Sequence, residues 1–352
     1  MLTKIRYQWV LAGVGCLGGY LLLESVLLHL FTKKLYPKQK FLRSVRVSMI
    51  GQYFNCITPF SSGGQPMQAY AMYRQGVPMG TATTALLCKF IVYQFVLTIY
   101  TLFIMIFKIR FFVAKVDAFA LLAVIGFSVN LAVVIGLVCI AFFPKPVERF
   151  VLFLIRIGTK MKLVKKPDEL REKTATSVQT FYNDFQYMKK QIPLILLSAL
   201  LTAVQLSFFL LIPYMVYRAF CPPHVDVISI MSAAAFVMLL SAFIPIPGTI
   251  GAAEGSFYMF FKLFFPGGTI KYGILLWRMF TFYALIVIGG TVLALSPKSE
   301  KPQTLDELPE NLTHAAVAVA DHYSGDGTGE TDPTDSGVSA GASGTPDAAG
   351  EQ

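Results

Sequence analysis

Two long apolar stretches of this chain are interrupted by proline, glycine and uncharged polar residues, at 55–66 and 245–255. The residues of the first interruption that could bind a ligand or reshape the backbone are Asn55, Thr58, Pro59, Ser61, Gly63, Gly64, Gln65 and Gln68. Proline removes a backbone donor, and glycine permits left-handed or extended backbone, so we expect a helix to break here. Pro66 can sit in the first turn of a second helix. Backbone donors at that helix start, with the polar side chains, predict a polar passage that could hold a phosphate.

The second interruption follows the same pattern of a proline stop, flexible glycines and a helix start. Its key residues are Pro247, Gly248, Gly251 and Glu254. A carboxylate near the membrane centre is costly unless it is paired or wet, so Glu254 is a candidate functional residue. The alternative for the first interruption is an external loop between ordinary spans. The alternative for Glu254 is an interfacial position near a helix start.

Three basic residues lie close enough to these interruptions to take part in a site. Lys89 and Arg278 each fall well inside an apolar run, where either could pair with Glu254 or with a lipid phosphate. Either could instead extend its charged group to the membrane surface. Arg74 follows the first interruption and could contact a phosphate or anchor the chain at the cytoplasmic face.

Residues for covalent or metal chemistry are sparse. The four histidines are His29, His224, His314 and His322, and no Ser/His/Asp order, metal-ligand spacing or phosphate-binding loop with lysine accompanies them. The five cysteines are odd in number, and none has zinc-site spacing. The sequence therefore predicts no catalytic residue, no metal and no cofactor.

Composition indicates that lipid is the solvent. Hydrophobic residues make up 55% of the 352 residues and charged residues 14%, against roughly 25% charged in soluble domains. Residues 297–352 hold 2 lysines and 11 acidic residues, which leaves 28 basic and 9 acidic residues in 1–296. Because the basic residues lie in short loops beside apolar runs, they indicate anionic membrane surfaces rather than nucleic acid.

The apolar runs predict an all-α polytopic protein of the cell membrane, with about six to eight transmembrane helices. The clear spans are 7–31, 80–107, 117–143, 192–220 and 271–295. Basic stretches at 32–46 and 144–191 should be cytoplasmic. With two spans between them, 47–79 must enter and leave on one side as a re-entrant segment. If 225–268 is re-entrant from the other side, the two form an inverted repeat with a site near the midplane.

The chain divides into a transmembrane domain, 1–296, and a C-terminal tail, 297–352. Within the cytoplasmic loop 144–191, the apolar stretch 147–157 carries Arg149 and Arg156. It could be an interfacial amphipathic helix or a soluble linker helix. The acidic tail is rich in Gly, Ser, Thr and Asp, and we expect it to be disordered.

At these same residues the chain resembles the lysylphosphatidylglycerol synthase transmembrane family, also described as flippase-like integral membrane proteins. The matching stretches are 55–70, 89–94, 245–255 and 276–283 followed by Gly289-Gly290. The resemblance implies transport or organisation of phospholipid. Fused members add lysine from aminoacyl-tRNA to phosphatidylglycerol through a soluble C-terminal domain, where this chain has its acidic tail. Many relatives have Glu and Arg in place of Gln65 and Gln68, and commonly one earlier span.

The leading hypothesis is translocation of an anionic or aminoacylated phosphatidylglycerol-type lipid. The first alternative is a phosphatidylglycerol lysyltransferase, which would confer resistance to cationic peptides, and the second is a non-transporting scaffold or regulator of a lipid synthase. The expected partners are membrane phospholipids, with a homo-oligomer or a separate synthase also compatible with the sequence. A nucleic-acid partner is expected only for the lysyltransferase, which would use charged tRNA.

Overall fold

A computed structural model describes residues 5–115, 127–128, 130–136, 167–241, 246–266 and 268–296. Several predictions lie outside these residues: most of span 117–143, the stretch 147–157, Pro245 and the tail 297–352. The helices in chain order are α1 (Tyr7–Leu35), α2 (Phe41–Ile57), α3 (Gly64–Arg74), α4 (Met79–Lys115), α5 (Pro167–Lys189), α6 (Ile192–Phe220), α7 (Val227–Ser241), α8 (Ala252–Phe261), α9 (Ile270–Arg278) and α10 (Ala284–Ala294). Short 3₁₀ turns form the first break (Pro59–Ser61) and the second break (Pro247–Thr249), and a π-helical turn, Met279–Tyr283, joins α9 to α10.

Four helical stretches are long and apolar enough to cross a membrane. They are Tyr7–Leu35, Met79–Lys108, Ile192–Phe220 and Ile270–Ala294. These confirm four of the five predicted spans, and α7 adds a shorter apolar helix, Val227–Ser241. The described residues contain no strand. The all-α, polytopic integral membrane fold is thus confirmed.

The outer faces of these spans carry large apolar side chains that no other part of the described chain covers. Leu11, Phe103, Leu200 and Val287 are each more than 60% exposed. In water such surfaces would drive aggregation, whereas in a bilayer the acyl chains cover them. The spans are therefore suited to a lipid surround.

Proline and glycine set several helix ends. Pro37 follows the end of α1, and Pro193 lies in the first turn of α6, where its missing N–H has no intrahelical partner to lose. Gly76 ends α3 with a φ of 88°. The N–H of Val77 then donates to the carbonyl of Met72 at 3.1 Å, which completes a glycine C-cap.

The helices pack around two groups of buried side chains. The larger group fills the space between α1, α2, α6, α7, α8 and α9, and includes Leu210, Phe257 and Trp277. The smaller group lies where α1, α3, α4 and α5 meet, and includes Phe31 and Met72.

Helix α5 packs against the N-terminal part of α4. A Cβ added to Gly80 would lie 2.4 Å from the carbonyl oxygen of Ser177, so this glycine lets the two backbones approach. Thr81 donates to Asp184 at 2.7 Å, and Thr84 donates to the carbonyl of Phe181 at 3.1 Å. The described part of the predicted cytoplasmic loop therefore lies beside the predicted cytoplasmic end of α4.

The opposite end of α4 is tied to the turn before α7. Lys108 forms an ion pair with Asp226, with 3.1 Å between Nζ and Oδ2. This ion pair holds the turn before α7 beside the C-terminal part of α4.

Helices α2 and α10 approach each other closely at Gly289. A Cβ there would lie 2.6 Å from the carbonyl oxygen of Met49 and 2.7 Å from Cβ of Tyr53. Small residues at such crossings let backbones approach, which is a principal source of helix association in membranes. This contact fixes α2, and with it the first break, against the C-terminal span.

Candidate functional site

The first break is a left-handed excursion that follows Pro59. Phe60 has φ 54° and Ser61 has φ 52°, a conformation that is uncommon for non-glycine residues and an outlier for one as bulky as phenylalanine. Thr58 supports the break by donating its hydroxyl to the carbonyl of Phe54 at 2.6 Å and accepting the N–H of Gly63 at 2.8 Å. One side chain thus links the last turn of α2 to the residue before α3.

The roles expected for the glycines of this segment were wrong. Left-handed or extended backbone was expected at Gly63 and Gly64, yet Gly63 has an ordinary right-handed φ of −77°. Space is the reason for glycine instead. An added Cβ would lie 2.5 Å from the side chain of Thr58 at Gly63, and 2.0 Å from Oδ1 of Asn55 at Gly64. The glycines let the start of α3 fold back onto the end of α2.

The second break repeats the backbone geometry of the first. After Pro247, Gly248 has φ 64° and Thr249 has φ 53°. In both breaks, therefore, a proline is followed by two residues in the left-handed region. This agreement fits the predicted internal repeat, while entry of the two segments from opposite membrane faces stays a prediction.

The two breaks lie against each other. A Cβ on Gly248 would lie 3.1 Å from the carbonyl oxygen of Cys56 and 2.1 Å from the ring of Phe282. Gly248 therefore needs glycine for two reasons, its positive φ and its close contacts with the last turn of α2 and with Phe282. Segments about 190 residues apart in the chain meet at this point.

Arg278 holds the second break in place. Its NH1 group donates to the carbonyl of Gly248 at 3.2 Å, and its NH2 group donates to the carbonyl of Thr249 at 3.1 Å. Its Nε donates to Oε1 of Glu254 at 2.6 Å. The arginine side chain is only 9% exposed. A planar guanidinium can satisfy three acceptors in one plane, which an ammonium cannot do with the same geometry.

Glu254 joins the start of α8 to Arg278. Its other oxygen, Oε2, accepts the N–H of Gly251 at 2.6 Å, where Gly251 has φ 85°. Of the alternatives that the sequence left open, Glu254 pairs with Arg278 rather than with Lys89. The carboxylate is 31% exposed, so the pair is partly open at one end.

A cavity of about 280 Å³ lies where the two breaks meet. Its walls are mostly apolar, with a minority of polar groups. The polar lining consists of Tyr20, Gln52, Asn55, Ser61, Ser241, Thr249, Arg278 and Thr281. The apolar lining includes Phe209, Leu210, Val237, Met238, Phe257, Trp277, Phe282 and Leu285. Apolar walls with a few convergent polar groups are typical of small-molecule sites.

The predicted site residues divide between this cavity and its supports. Asn55, Ser61, Gly248 and Arg278 line the cavity. The remaining predicted residues, which do not line it in the part of the chain that the structure describes, are Thr58, Pro59, Gly63, Gly64, Gln65, Gln68, Arg74, Lys89, Gly251 and Glu254. The side chain of Pro247 lies outside the described part.

Gln68 and Lys89 lie in surroundings that differ from those the sequence suggested, and Arg74 packs on a tyrosine of its own helix. Gln68 is buried against Gly51, where an added Cβ would lie 2.2 Å from the amide. Arg74 lies over the ring of Tyr70 and donates to its hydroxyl at 3.3 Å. Lys89 forms an ion pair with Glu24 of α1.

Sequence reasoning missed one polar cluster and five polar residues of the cavity lining: Tyr20, Gln52, Ser241, Thr249 and Thr281. Tyr20 and Gln52 enter the cavity from α1 and α2, with 3.4 Å between Nε2 of Gln52 and the tyrosine hydroxyl. Gln205 of α6 donates to Glu24 at 2.9 Å. An intramembrane glutamate and glutamine were the available signals, because each must find a partner in lipid.

Comparison with known proteins places the chain among membrane proteins of related sequence. The family model described as the transmembrane region of lysylphosphatidylglycerol synthase matches residues 1–289. A UPF0104 membrane protein of Archaeoglobus fulgidus is 24% identical over 303 residues, which cover 81% of this chain and 86% of that protein. No solved structure matches the chain.

Proposed function

Because this chain belongs to the lysylphosphatidylglycerol synthase transmembrane-region family, we propose that it translocates phospholipid of the phosphatidylglycerol type across the cell membrane. The lipid would be anionic or aminoacylated. The observation that carries the proposal is the meeting of two broken helical segments at one cavity. Breaks at membrane depth are tolerated where they line a cavity, and in transporters they form the substrate site.

The size and lining of the cavity suit a headgroup rather than a whole lipid. At about 280 Å³ it is near the lower end of small-molecule pockets, roughly 300–1,000 Å³. A phosphoglycerol group could enter while the two acyl chains stay in the bilayer, against the apolar outer faces of the spans. The hydroxyl and amide groups of Asn55, Ser61 and Thr281 offer hydrogen bonds to such a headgroup.

Arg278 can bind a phosphate without losing its position. Three of the five N–H donors of an arginine are used in the contacts above, so two remain. The carbonyls of Gly248 and Thr249 would hold the guanidinium in place while a phosphate competes with Glu254. Displacement of the carboxylate would free the N–H of Gly251 at the start of α8, a position that also favours anions.

Transfer of labelled lipid between the leaflets of reconstituted liposomes tests this function. Phosphatidylglycerol and its lysyl form should both be compared with phosphatidylcholine. Asn55→Ala should slow transfer about 10- to 150-fold, because a hydrogen bond to a charged phosphate contributes about 1.5–3 kcal/mol. Asn183→Ala, on the exposed face of α5, is the matched control and should transfer at the wild-type rate.

Two results would contradict the proposal. One is the absence of transfer above empty liposomes by folded wild-type protein. The other is formation of lysyl-lipid from charged tRNA by the purified chain without any transfer, which would identify a lysyltransferase.

A further inference from the structure

A second group of polar side chains lies buried between α1, α4 and α6. Glu24 is 7% exposed and accepts hydrogen bonds from Lys89 through one oxygen and from Gln205 through the other, the latter at 2.9 Å. Gln205 is fully buried, and the Lys89 side chain is 12% exposed. The cluster is separate from the Arg278 and Glu254 pair and contributes no side chain to the cavity lining.

Stability alone is a weak reason for such a cluster. A buried ion pair loses its hydration, and this loss offsets most of the attraction between the two charges. Apolar residues of similar volume often stabilise a fold as well or better. A buried pair in a membrane span is therefore better explained by a function that needs charge.

The amide of Gln205 is suited to a carboxyl group that changes its protonation state. Its Nε2 donates to Glu24, whereas its Oε1 is buried and has no hydrogen-bond partner among the described residues. An unpaired buried acceptor is costly. If Glu24 takes up a proton, a half-turn of the nearly symmetric amide lets Oε1 accept the new O–H. One side chain can thus serve both states of the carboxyl.

The groups around Glu24 leave it as the natural proton acceptor. The titratable groups that face it are Lys89 and Tyr93 from α4 and Tyr20 from its own helix. Gln205 of α6 contacts Glu24 directly, and Gln52 of α2 contacts Tyr20. Neither amide titrates. Because Lys89 is the donor to Glu24, an added proton goes to the carboxylate oxygen.

We propose that Glu24 is a proton-exchange site whose protonation favours entry of an anionic phosphate headgroup into the cavity. The reaction is Glu24 carboxylate plus hydronium giving Glu24 carboxylic acid plus water. The Glu24 and Lys89 cluster then changes from net zero to a net charge of +1. This inference rests on the proposed lipid function for the identity of the anion.

Tyr20 connects the cluster to the cavity. It lies one helical turn before Glu24, about 6 Å along the axis, and its side chain lines the cavity beside Gln52. A positive charge one helical turn from a residue of the cavity wall, screened little in a lipid surround, attracts a phosphate in the cavity. By linkage, a bound phosphate must raise the proton affinity of Glu24 by the same factor.

Binding of a short-chain, water-soluble phosphatidylglycerol to the full chain in detergent tests the coupling. Wild-type affinity should rise about tenfold as the pH is lowered, within the usual range of coupling between sites. Binding should also take up protons from a weakly buffered solution. Glu24→Gln, which mimics the protonated carboxyl, should bind at every pH with the affinity that the wild type shows at low pH, and it should take up no proton.

Two further variants keep the test independent of misfolding. Gln205→Leu removes the donor that favours the carboxylate, so its affinity should begin to rise at a higher pH than in the wild type. Asp226→Asn removes an exposed carboxylate of the loop before α7 and should retain the wild-type pH dependence. Binding by wild type that is independent of pH and exchanges no proton would overturn the coupling while leaving lipid transport intact.

Infrared spectroscopy separates failure of the proton site from failure of the lipid function. If wild-type protein neither binds nor transfers phospholipid, the proposed function is wrong. The carbonyl band of a carboxylic acid then tests, without any lipid, whether Glu24 exchanges a proton. A band that titrates reversibly in folded wild type, persists in Asp226→Asn and is missing in Glu24→Gln supports proton exchange, and the absence of such a band refutes it.

Discussion

The contact between α2 and α10 allows a sharp comparison of two adjacent glycines. A Cβ at Gly289 would lie 2.6 Å from the carbonyl oxygen of Met49, whereas a Cβ at Gly290 would come no closer than 3.4 Å to the ring of Tyr53. A backbone carbonyl cannot rotate away as a side chain can. Ordinary contact begins at 3.4 Å, so Gly289→Ala must push the helices apart by about 0.8 Å.

The magnitude follows from two opposing effects. Replacing glycine by alanine within a helix stabilises it by about 1 kcal/mol, and this gain is common to both variants. Overpacking costs about 1–3 kcal/mol and applies only to Gly289→Ala. Gly290→Ala should therefore match or exceed the wild type, and Gly289→Ala should be about 1–3 kcal/mol less stable than Gly290→Ala.

Thermal unfolding of detergent-solubilised protein measures this difference. At about 2–4 °C per kcal/mol, the midpoint of Gly289→Ala should lie about 2–12 °C below that of Gly290→Ala. Lipid transfer should fall in the same variant, because α2 leads directly into the first break. Equal midpoints for the two variants, or a higher one for Gly289→Ala, would refute the close approach of α2 and α10.

Arg278→Lys should lower the unfolding free energy by about 1–3 kcal/mol, because the ammonium cannot serve Glu254 and both carbonyls of the second break at once, and thermal melts in detergent will measure it. Gly80→Ala should loosen α5, since its Cβ would lie 2.4 Å from the carbonyl oxygen of Ser177; limited proteolysis should then cut α5 faster than in Gly15→Ala, where an added Cβ meets nothing within 4 Å. Burial raises the pKa of Asp184 above its usual 3.8, although the hydrogen bond from Thr81 partly opposes this. A proton bound more tightly in the folded state stabilises the protein fully below pH 3.8, and this contribution is lost as the pH rises through the raised pKa. As the pH falls through that window, the unfolding free energy of the wild type should therefore rise relative to that of Asp184→Asn. A difference between the two that stays constant with pH would contradict the burial of this carboxyl.

The sequence predicted the features that depend on local composition. Hydropathy was sufficient for α1, α4, α6 and the C-terminal span, because each needs only a long apolar run. Proline and glycine located both breaks. The close contact of the two breaks was suggested by the repeat alone, and no property of either segment fixes which residues touch.

Side-chain partners were harder to predict because they depend on helix packing. Glu24 lies 65 residues from Lys89 and 181 residues from Gln205. Nothing in the local sequence selects these partners over Glu254 or a lipid phosphate. The pairing of Glu254 with Arg278, by contrast, was among the alternatives that the sequence offered.

The glycines of the first break illustrate a second limit. Their composition suggested backbone freedom, whereas the structure uses them for space. The left-handed residues are Phe60 and Ser61, for which sequence gives little signal. Side-chain volume at a crossing is a tertiary property, and only the packed helices reveal it.

The different supports of the two breaks have a consequence for biosynthesis. Thr58 holds the first break through Phe54 and Gly63, so that break needs no residue beyond 63. The second break depends on Arg278, 30 residues beyond Gly248. At roughly 5–20 residues per second, that arginine arrives about 2–6 s later. During this interval the carbonyls of Gly248 and Thr249 lack their hydrogen bonds from Arg278. The second segment should therefore complete its insertion only together with the final span.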